Sequence, residues 1–138
     1  TYSTHARSGI PCYWEGGVLH NLDAASYAIP SCITFKNGEA YTAGEYLDES
    51  SNVQSCYWKG NEMHRLANQG YKSQIACIGV SPSGIVFCAG SNSSSYSGSP
   101  FYYKNDIYHN LSTRDLLNPF SNEYEYHSGE VYSLDFIG

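Results

Sequence analysis

The chain repeats one short sequence three times. "CYWEGGVLHNL" begins at Cys12, "CYWKGNEMHRL" begins at Cys56 and "FYYKNDIYHNL" begins at Phe101, so the copies start 44 and 45 residues apart. A fixed period of this length indicates supersecondary units that stack, each burying an apolar face against its neighbours. The repeat therefore constrains the architecture more than any single residue does.

Each repeat contains four short segments with the pattern of β-strands and no helical spacing. The third is the aromatic "CYW" element, and a short turn rich in Gly and Asn leads to the fourth, such as "VLHNL". The first segments are 31–35, 76–80 and 123–126, and the second are 40–46, 85–91 and 131–136. We therefore predict an all-β protein in which residues 1–138 are a single domain of four-stranded antiparallel β-propeller blades. The short turns fall at one end and the longer polar loops at the other, which we predict to be the functional end.

The repeats are out of frame with the chain. Residues 1–22 are predicted to supply only the third and fourth strands of a blade, and residues 119–138 only the first and second. Two full blades and one split blade make three, too few to close a ring of twisted sheets, and open sheet edges favour pairing with another chain. We expect a homodimer that forms one six-bladed propeller. A nine-bladed trimer and a fragment of a longer propeller are the alternatives.

Composition and motifs exclude several classes of function. Aromatic residues are 15% and charged residues 14% of the chain, which indicates a folded domain. A net charge of −6 with 7 scattered Lys and Arg argues against nucleic acid as a partner. No run of 18 apolar residues occurs, so we expect no membrane insertion. Glu45, Asp48 and Asp135 match no paired-carboxylate pattern, and no nucleophile, metal or phosphate motif occurs; we expect no enzyme activity, cofactor or metal.

The segment "AYTAGEYLDESSNVQSCYWKGNEMHRL" resembles a bacterial-type β-propeller repeat with a "VYVAG…YWKNG…L" rhythm, and the resemblance extends over the whole chain. The chain lacks the S-x-D-x-G-x-T-W box of sialidase-like propellers and the W-D signature of WD40 repeats. Assembly from short repeats is similar to that of small propeller lectins of the tachylectin and fungal-fucose-lectin kind. This similarity is one of architecture, which alone does not give function; for a lectin, the tachylectin-like precedent implies an N-acetylated hexosamine as the sugar.

Periodic aromatic and histidine side chains are the candidate sugar-binding groups, because an aromatic ring covers the apolar face of a sugar while polar groups bind its hydroxyls. Tyr27 and Tyr71, at matched points in the loop after the fourth strand, are the strongest candidates. The alternative for the strand aromatics is a role in the core between blades. A metal ring of the histidines is not expected because equivalent fourth-strand positions lie far apart, which leaves a structural or hydrogen-bonding role. The strand candidates are Tyr13, Trp14, Tyr57, Trp58, Tyr102, Tyr103, His20, His64 and His109.

Four of the five cysteines also follow the repeat. Cys12 and Cys56 share one position and Cys32 and Cys77 another, while the third copy lacks both. Joint presence and joint loss predict the disulfides Cys12–Cys32 and Cys56–Cys77, each stabilising by roughly 3 kcal/mol. The alternative is five buried thiols; Cys88 is predicted to be a lone buried thiol in either case.

Two glycosylation sequons, at Asn92 and Asn110, together with the cysteine content and a start at Thr1, predict a secreted glycoprotein. Our leading hypothesis is a secreted, non-enzymatic lectin whose dimer binds multivalent glycans or glycoproteins by avidity. The second hypothesis is an extracellular protein-interaction or surface-structural propeller that uses the same loops. A hydrolase is third.

Overall fold

The computed structural model describes residues 3–7, 9–24, 27–67, 73–94 and 97–111. These residues form eleven β-strands and no helix, which confirms the all-β class. Accordingly, the described residues contain no helix long and apolar enough to cross a membrane. The predicted strands 123–126 and 131–136 lie outside this part of the chain.

The strands form three antiparallel sheets in which each strand pairs with its neighbours in sequence. The first sheet contains β1 (Ser3–Arg7), β2 (Ile10–Glu15) and β3 (Val18–Asn21). The second contains β4 (Ala28–Lys36), β5 (Glu39–Leu47), β6 (Val53–Lys59) and β7 (Glu62–Arg65). The third contains β8 (Ser73–Val80), β9 (Val86–Ser94), β10 (Ser97–Lys104) and β11 (Ile107–Asn110).

The first sheet has a strand that the sequence pattern did not predict. In β1, Thr4 lies opposite Tyr13 of β2, just as Ala43 of β5 lies opposite Tyr57 of β6. β1 therefore occupies the second place in its sheet, and residues 1–22 supply three strands rather than two. The strand was hidden because its connection to β2 is a tight turn at Gly9, whose φ is 81°, instead of a polar loop.

A second difference concerns the polar loop predicted between the second and third strands of a repeat. In the third sheet Ser94 pairs with Ser97, so the serine-rich segment belongs to the β9–β10 hairpin. Backbone ladder bonds need no apolar side chain, so a polar segment can continue a strand. In the second sheet a loop of residues 48–52 remains, and Asp48 Oδ1 accepts hydrogen bonds from the Ser50 and Asn52 amides at 2.9 and 2.8 Å.

The second sheet is packed between the other two. One core contains residues of the first and second sheets: Tyr13, Leu22, Ala28, Ala40, Tyr46, Cys56 and Trp58. The other contains residues of the second and third sheets: Tyr41, Ala43, Tyr57, Leu66, Ile75, Ile78, Val80, Val86, Cys88, Phe101 and Tyr103. Neighbouring residues of β5 and β6 alternate between the two cores because side chains alternate across a strand.

The repeated Ala-Gly pair in β5 and β9 has a packing reason. The neighbouring strands carry register shifts, between Pro30 and Cys32 in β4 and at the equivalent point of β8. A Cβ on Gly44 would overlap the Ile29 carbonyl oxygen and lie 2.7 Å from Pro30 Cα. Gly90 is blocked in the same way by the carbonyl of β8. Glycine therefore lets the two backbones approach closely at the bulge.

The predicted disulfides are not formed, and all five cysteines are free thiols. The thickness of the second sheet separates each predicted pair. Cys56 belongs to the core facing the first sheet, whereas Cys77 lies on the third sheet. Cys32 packs against the core facing the third sheet, whereas Cys12 lies on the first. Packed sheets lie about 10 Å apart, which exceeds the Cα separation of a disulfide.

Candidate functional site

The periodic histidines are half of a repeated ring pair. His20, His64 and His109 lie opposite the first tyrosine of each third strand, with the pairs Tyr13–His20, Tyr57–His64 and Tyr102–His109 in register. The ring centroids are 4.7, 4.7 and 4.6 Å apart and the planes are within 5°, 9° and 8° of parallel. The fourth strand therefore supports the third through one stacked pair per sheet.

These stacks use the ring faces that a sugar would need. Tyr13 and Tyr57 are buried, and each has one ring face covered by its histidine. Burial raises the pKa of Tyr57 to about 12, and the nearby Asp106 carboxylate adds to the increase. His64 Nε2 is buried and has no hydrogen-bond partner. The arrangement favours the structural alternative for the Tyr–His positions.

The aromatic residue after each tyrosine has a different partner. Trp58 is fully buried, and its Nε1 donates a 2.6 Å hydrogen bond to the Asp23 carbonyl of the preceding repeat. Tyr103 is buried likewise, and its hydroxyl donates to the Ala67 carbonyl at 2.8 Å. Asp23 and Ala67 occupy the same repeat position, directly after the leucine that ends "VLHNL" or "EMHRL". Each side chain therefore binds its own sheet to the loop that follows the preceding sheet, and does not face a ligand.

Tyr27 is exposed where the strand aromatics are not. The residue is 50% exposed, and it lines an open groove with a cavity volume of about 50 Å³, together with Ile29, Glu45, Tyr46, Leu47 and Val53. The Leu47 amide donates to the Tyr27 carbonyl at 2.9 Å, which fixes the loop against the end of β5. The groove opens at the end of the sheet where the longer loops lie, which is the end that the sequence predicts to be functional.

Tyr46, which also lines the groove, is held by two contacts within the fold. The Arg65 guanidinium lies 5.3 Å from the ring centroid of Tyr46, close enough for a cation–π contact. Tyr46 itself is buried in the core between the first and second sheets. The groove therefore combines the exposed aromatic ring of Tyr27 with the carboxylate of Glu45.

The equivalent surface of the third sheet has a different lining. Tyr71, the matched tyrosine, lies outside the described residues. Because Gly44 and Gly90 are equivalent, Ser91 and Asn92 take the places of Glu45 and Tyr46. In the third sheet these two positions therefore carry a hydroxyl and an amide side chain instead of a carboxylate and an aromatic ring.

The two sequon asparagines lie in different surroundings. Asn92 is buried, and its Nδ2 donates to the Tyr108 hydroxyl at 2.9 Å. Asn110, at the end of β11, is exposed. Of the two, Asn110 therefore has the environment that fits an attached glycan.

Sequence reasoning did not identify Ile29, Glu45 or Val53 as groove residues. Glu45 was considered only as a catalytic carboxylate, and no pattern distinguishes these positions from ordinary strand residues. Their common feature is that they end or begin strands next to Tyr27. Within the described residues, no group of three His, Cys, Asp or Glu is placed to hold a metal ion.

Comparison of the chain with protein-family models, with curated proteins and with solved structures gives no match.

Proposed function

We propose that this protein is a non-enzymatic carbohydrate-binding protein whose ligand occupies the groove beside Tyr27. The observation that carries the proposal is a half-exposed aromatic ring in an open groove that also contains a carboxylate. The Tyr27 ring provides the plate for the C–H face of a sugar, and Glu45 accepts hydrogen bonds from its hydroxyls.

The size and walls of the groove support a small, acylated sugar. Its cavity volume of about 50 Å³ is far below the range of roughly 300–1,000 Å³ typical of pockets for drug-sized ligands. The groove can therefore hold one substituent of a sugar residue while the sugar ring lies against the exposed Tyr27. Ile29 and Val53 offer an apolar wall for the methyl of an N-acetyl group, which favours an N-acetylated hexosamine. A shallow site of this kind binds weakly, so tight binding to glycoproteins requires several sites together.

We further propose that the three sheets are blades of a propeller and that two secreted chains complete one ring of six. The sheets follow one another in sequence, and consecutive sheets pack face to face. Among the described strands, β1 is the edge strand of its sheet, and that sheet has no strand at the first position, which β4 and β8 occupy in the other two sheets. The predicted strand 123–126 of a second copy is our candidate for that place.

The proposal is tested by titrating the protein with N-acetylglucosamine and glucose, and by a glycan array for the wider class. Tyr27→Ala should weaken sugar binding at least tenfold, and Glu45→Gln should weaken it less. Ile107→Ala is the matched control, because Ile107 is 65% exposed but lies outside the groove. Normal binding by the Tyr27→Ala variant would contradict the site, and an array with no bound glycan would contradict the function.

Protein recognition is the second candidate. Ile10, Tyr27 and Ile29 are 52%, 50% and 43% exposed, a cluster of apolar side chains at the longer-loop end that also suits a protein surface. The two functions separate on one measurement. Cell agglutination by a lectin should be blocked by millimolar simple sugar, whereas binding to a protein partner should not change.

A further inference from the structure

The two internal interfaces follow one pattern. In each, an aromatic donor of a third strand binds the main-chain carbonyl that follows the fourth strand of the preceding sheet. The leucine before that carbonyl is buried in the same core: Leu22 with Trp58 in one interface, and Leu66 with Tyr103 in the other. Leucine, carbonyl and aromatic donor together form what we call the latch.

Each outer sheet carries half of a further latch. Trp14 occupies the position of Trp58 and Tyr103, yet it is only half-buried, and the described residues contain no acceptor for its indole N–H. Leu111 occupies the position of the two buried leucines, yet it is 43% exposed. Its amide donates to the Pro100 carbonyl at 2.9 Å, as the Leu22 amide does to Pro11 at 2.8 Å. The backbone at Leu111 therefore has the same hydrogen bond as at Leu22, and the difference is that no aromatic side chain of the described residues buries Leu111.

We propose that the half-latches complete each other between two copies of this chain. Trp14 of one copy covers Leu111 of the second, as Trp58 and Tyr103 cover Leu22 and Leu66 within one chain. The inference rests on the proposed ring and is independent of sugar binding. Because each copy carries both halves, a closed dimer contains the latch twice.

The charge and shape of the internal interfaces support this occupant over an unrelated protein. The internal latches bring together only a leucine, an aromatic ring and a main-chain carbonyl, with no ion pair. Of these groups, the described residues of the outer faces carry the aromatic ring of Trp14 and the side chain of Leu111, and the third sheet also repeats the Tyr–His stack there, with Tyr102 and His109. A second copy therefore supplies a surface equivalent to the ones that pack together in the two interfaces within one chain.

The test is analytical ultracentrifugation over a range of protein concentrations. The unchanged protein should have twice the 15.3 kDa mass of one chain at micromolar concentration. Trp14→Ala and Leu111→Ala should each weaken the dimer at least tenfold, since a buried Trp is a typical interface hot spot. Tyr27→Ala is the matched control: it removes a similarly exposed aromatic ring and should leave the dimer unchanged while removing sugar binding. A monomeric unchanged protein, or a Trp14→Ala variant with the original dissociation constant, would overturn the inference.

Fluorescence quenching by acrylamide tests the same contact without a variant. The chain has two tryptophans, and Trp58 is fully buried, so quenching reports mainly on Trp14. Dilution that dissociates the dimer should increase the quenchable fraction. A fraction that stays constant through dissociation would show that residues of the same chain cover Trp14, and would refute the intermolecular latch.

Discussion

Tyr103→Phe removes a single hydroxyl from the latch between the second and third sheets. Tyr103 is 1% exposed, and its hydroxyl donates to the Ala67 carbonyl at 2.8 Å. A hydrogen bond of this kind contributes about 0.5–1.5 kcal/mol net. Ala67 is exposed, so water can replace the lost donor and the carbonyl does not carry the full cost of an unsatisfied buried group. We therefore expect the free energy of unfolding to fall by about 1 kcal/mol at pH 7.

The loss of stability caused by Tyr103→Phe should become smaller as the pH rises above 10. Burial raises the pKa of Tyr103 from 10.0 to about 12, and the neighbouring Tyr108 and Cys88 add to the increase. The unfolded state therefore loses its proton first, so the stability that Tyr103 contributes is fully present below pH 10 and is lost between pH 10 and 12. Phe does not ionise. By about pH 11 this loss is on the order of 1 kcal/mol and offsets the missing hydrogen bond, so the two proteins should become equally stable.

Urea unfolding followed by circular dichroism, at one protein concentration and at several values between pH 7 and 11, measures both effects. Tyr27→Phe is the matched control and should change the free energy of unfolding at pH 7 by less than about 0.5 kcal/mol, because its ring is half exposed. A difference between Tyr103→Phe and the unchanged protein that stays constant over this pH range would refute the reasoning about burial. No difference at pH 7 would refute the hydrogen bond.

Three further predictions test the fold. Gly44→Ala should destabilise by about 1–3 kcal/mol in thermal unfolding because its Cβ meets the β4 backbone, whereas Gly38→Asn should cost less, because its turn is open and Asn tolerates the positive φ of 78° there; equal effects would contradict the close approach. A thiol assay should find five free thiols after unfolding without reductant, and two disulfides would leave one; Cys56 should react slowly in the folded state, since burial raises its pKa. A double-mutant cycle between Tyr57 and His64 should give a coupling of about 1 kcal/mol, and additive effects would exclude the stack.

The repeat made much of the fold predictable. The hairpin turns were recognisable from residues that tolerate positive φ, and Asn37, Gly38 and Asn105 have φ values of 52°, 78° and 52°. Strand positions in the second and third sheets followed because apolar alternation and turn chemistry agreed. The exposed Tyr27 was predictable as well, because it lies in a loop, outside the alternation that the core imposes.

Features that depend on contacts between sheets were not predictable. Cys12 and Cys32 vary together in the repeats, yet they lie on different sheets because equivalent residues occupy equivalent places whether or not they touch. The strand β1 was missed because its connection is shorter than the equivalent loop. Glu45 was missed as a groove residue because its role depends on Tyr27, which joins it only in the folded chain.

The second sheet shows why the number of periodic aromatic residues in this chain does not give its number of ligand sites. Adjacent strand residues face opposite sides, so Tyr57 stacks on His64 toward the third sheet while Trp58 binds Asp23 toward the first. The Tyr–His stack recurs in all three sheets, and the hydrogen bond to the preceding sheet recurs in the second and third. The sugar site that we propose uses an aromatic ring outside these two positions, that of Tyr27. Groove residues are therefore free to differ between repeats, and we expect the sites of one chain to differ in the sugar that they prefer.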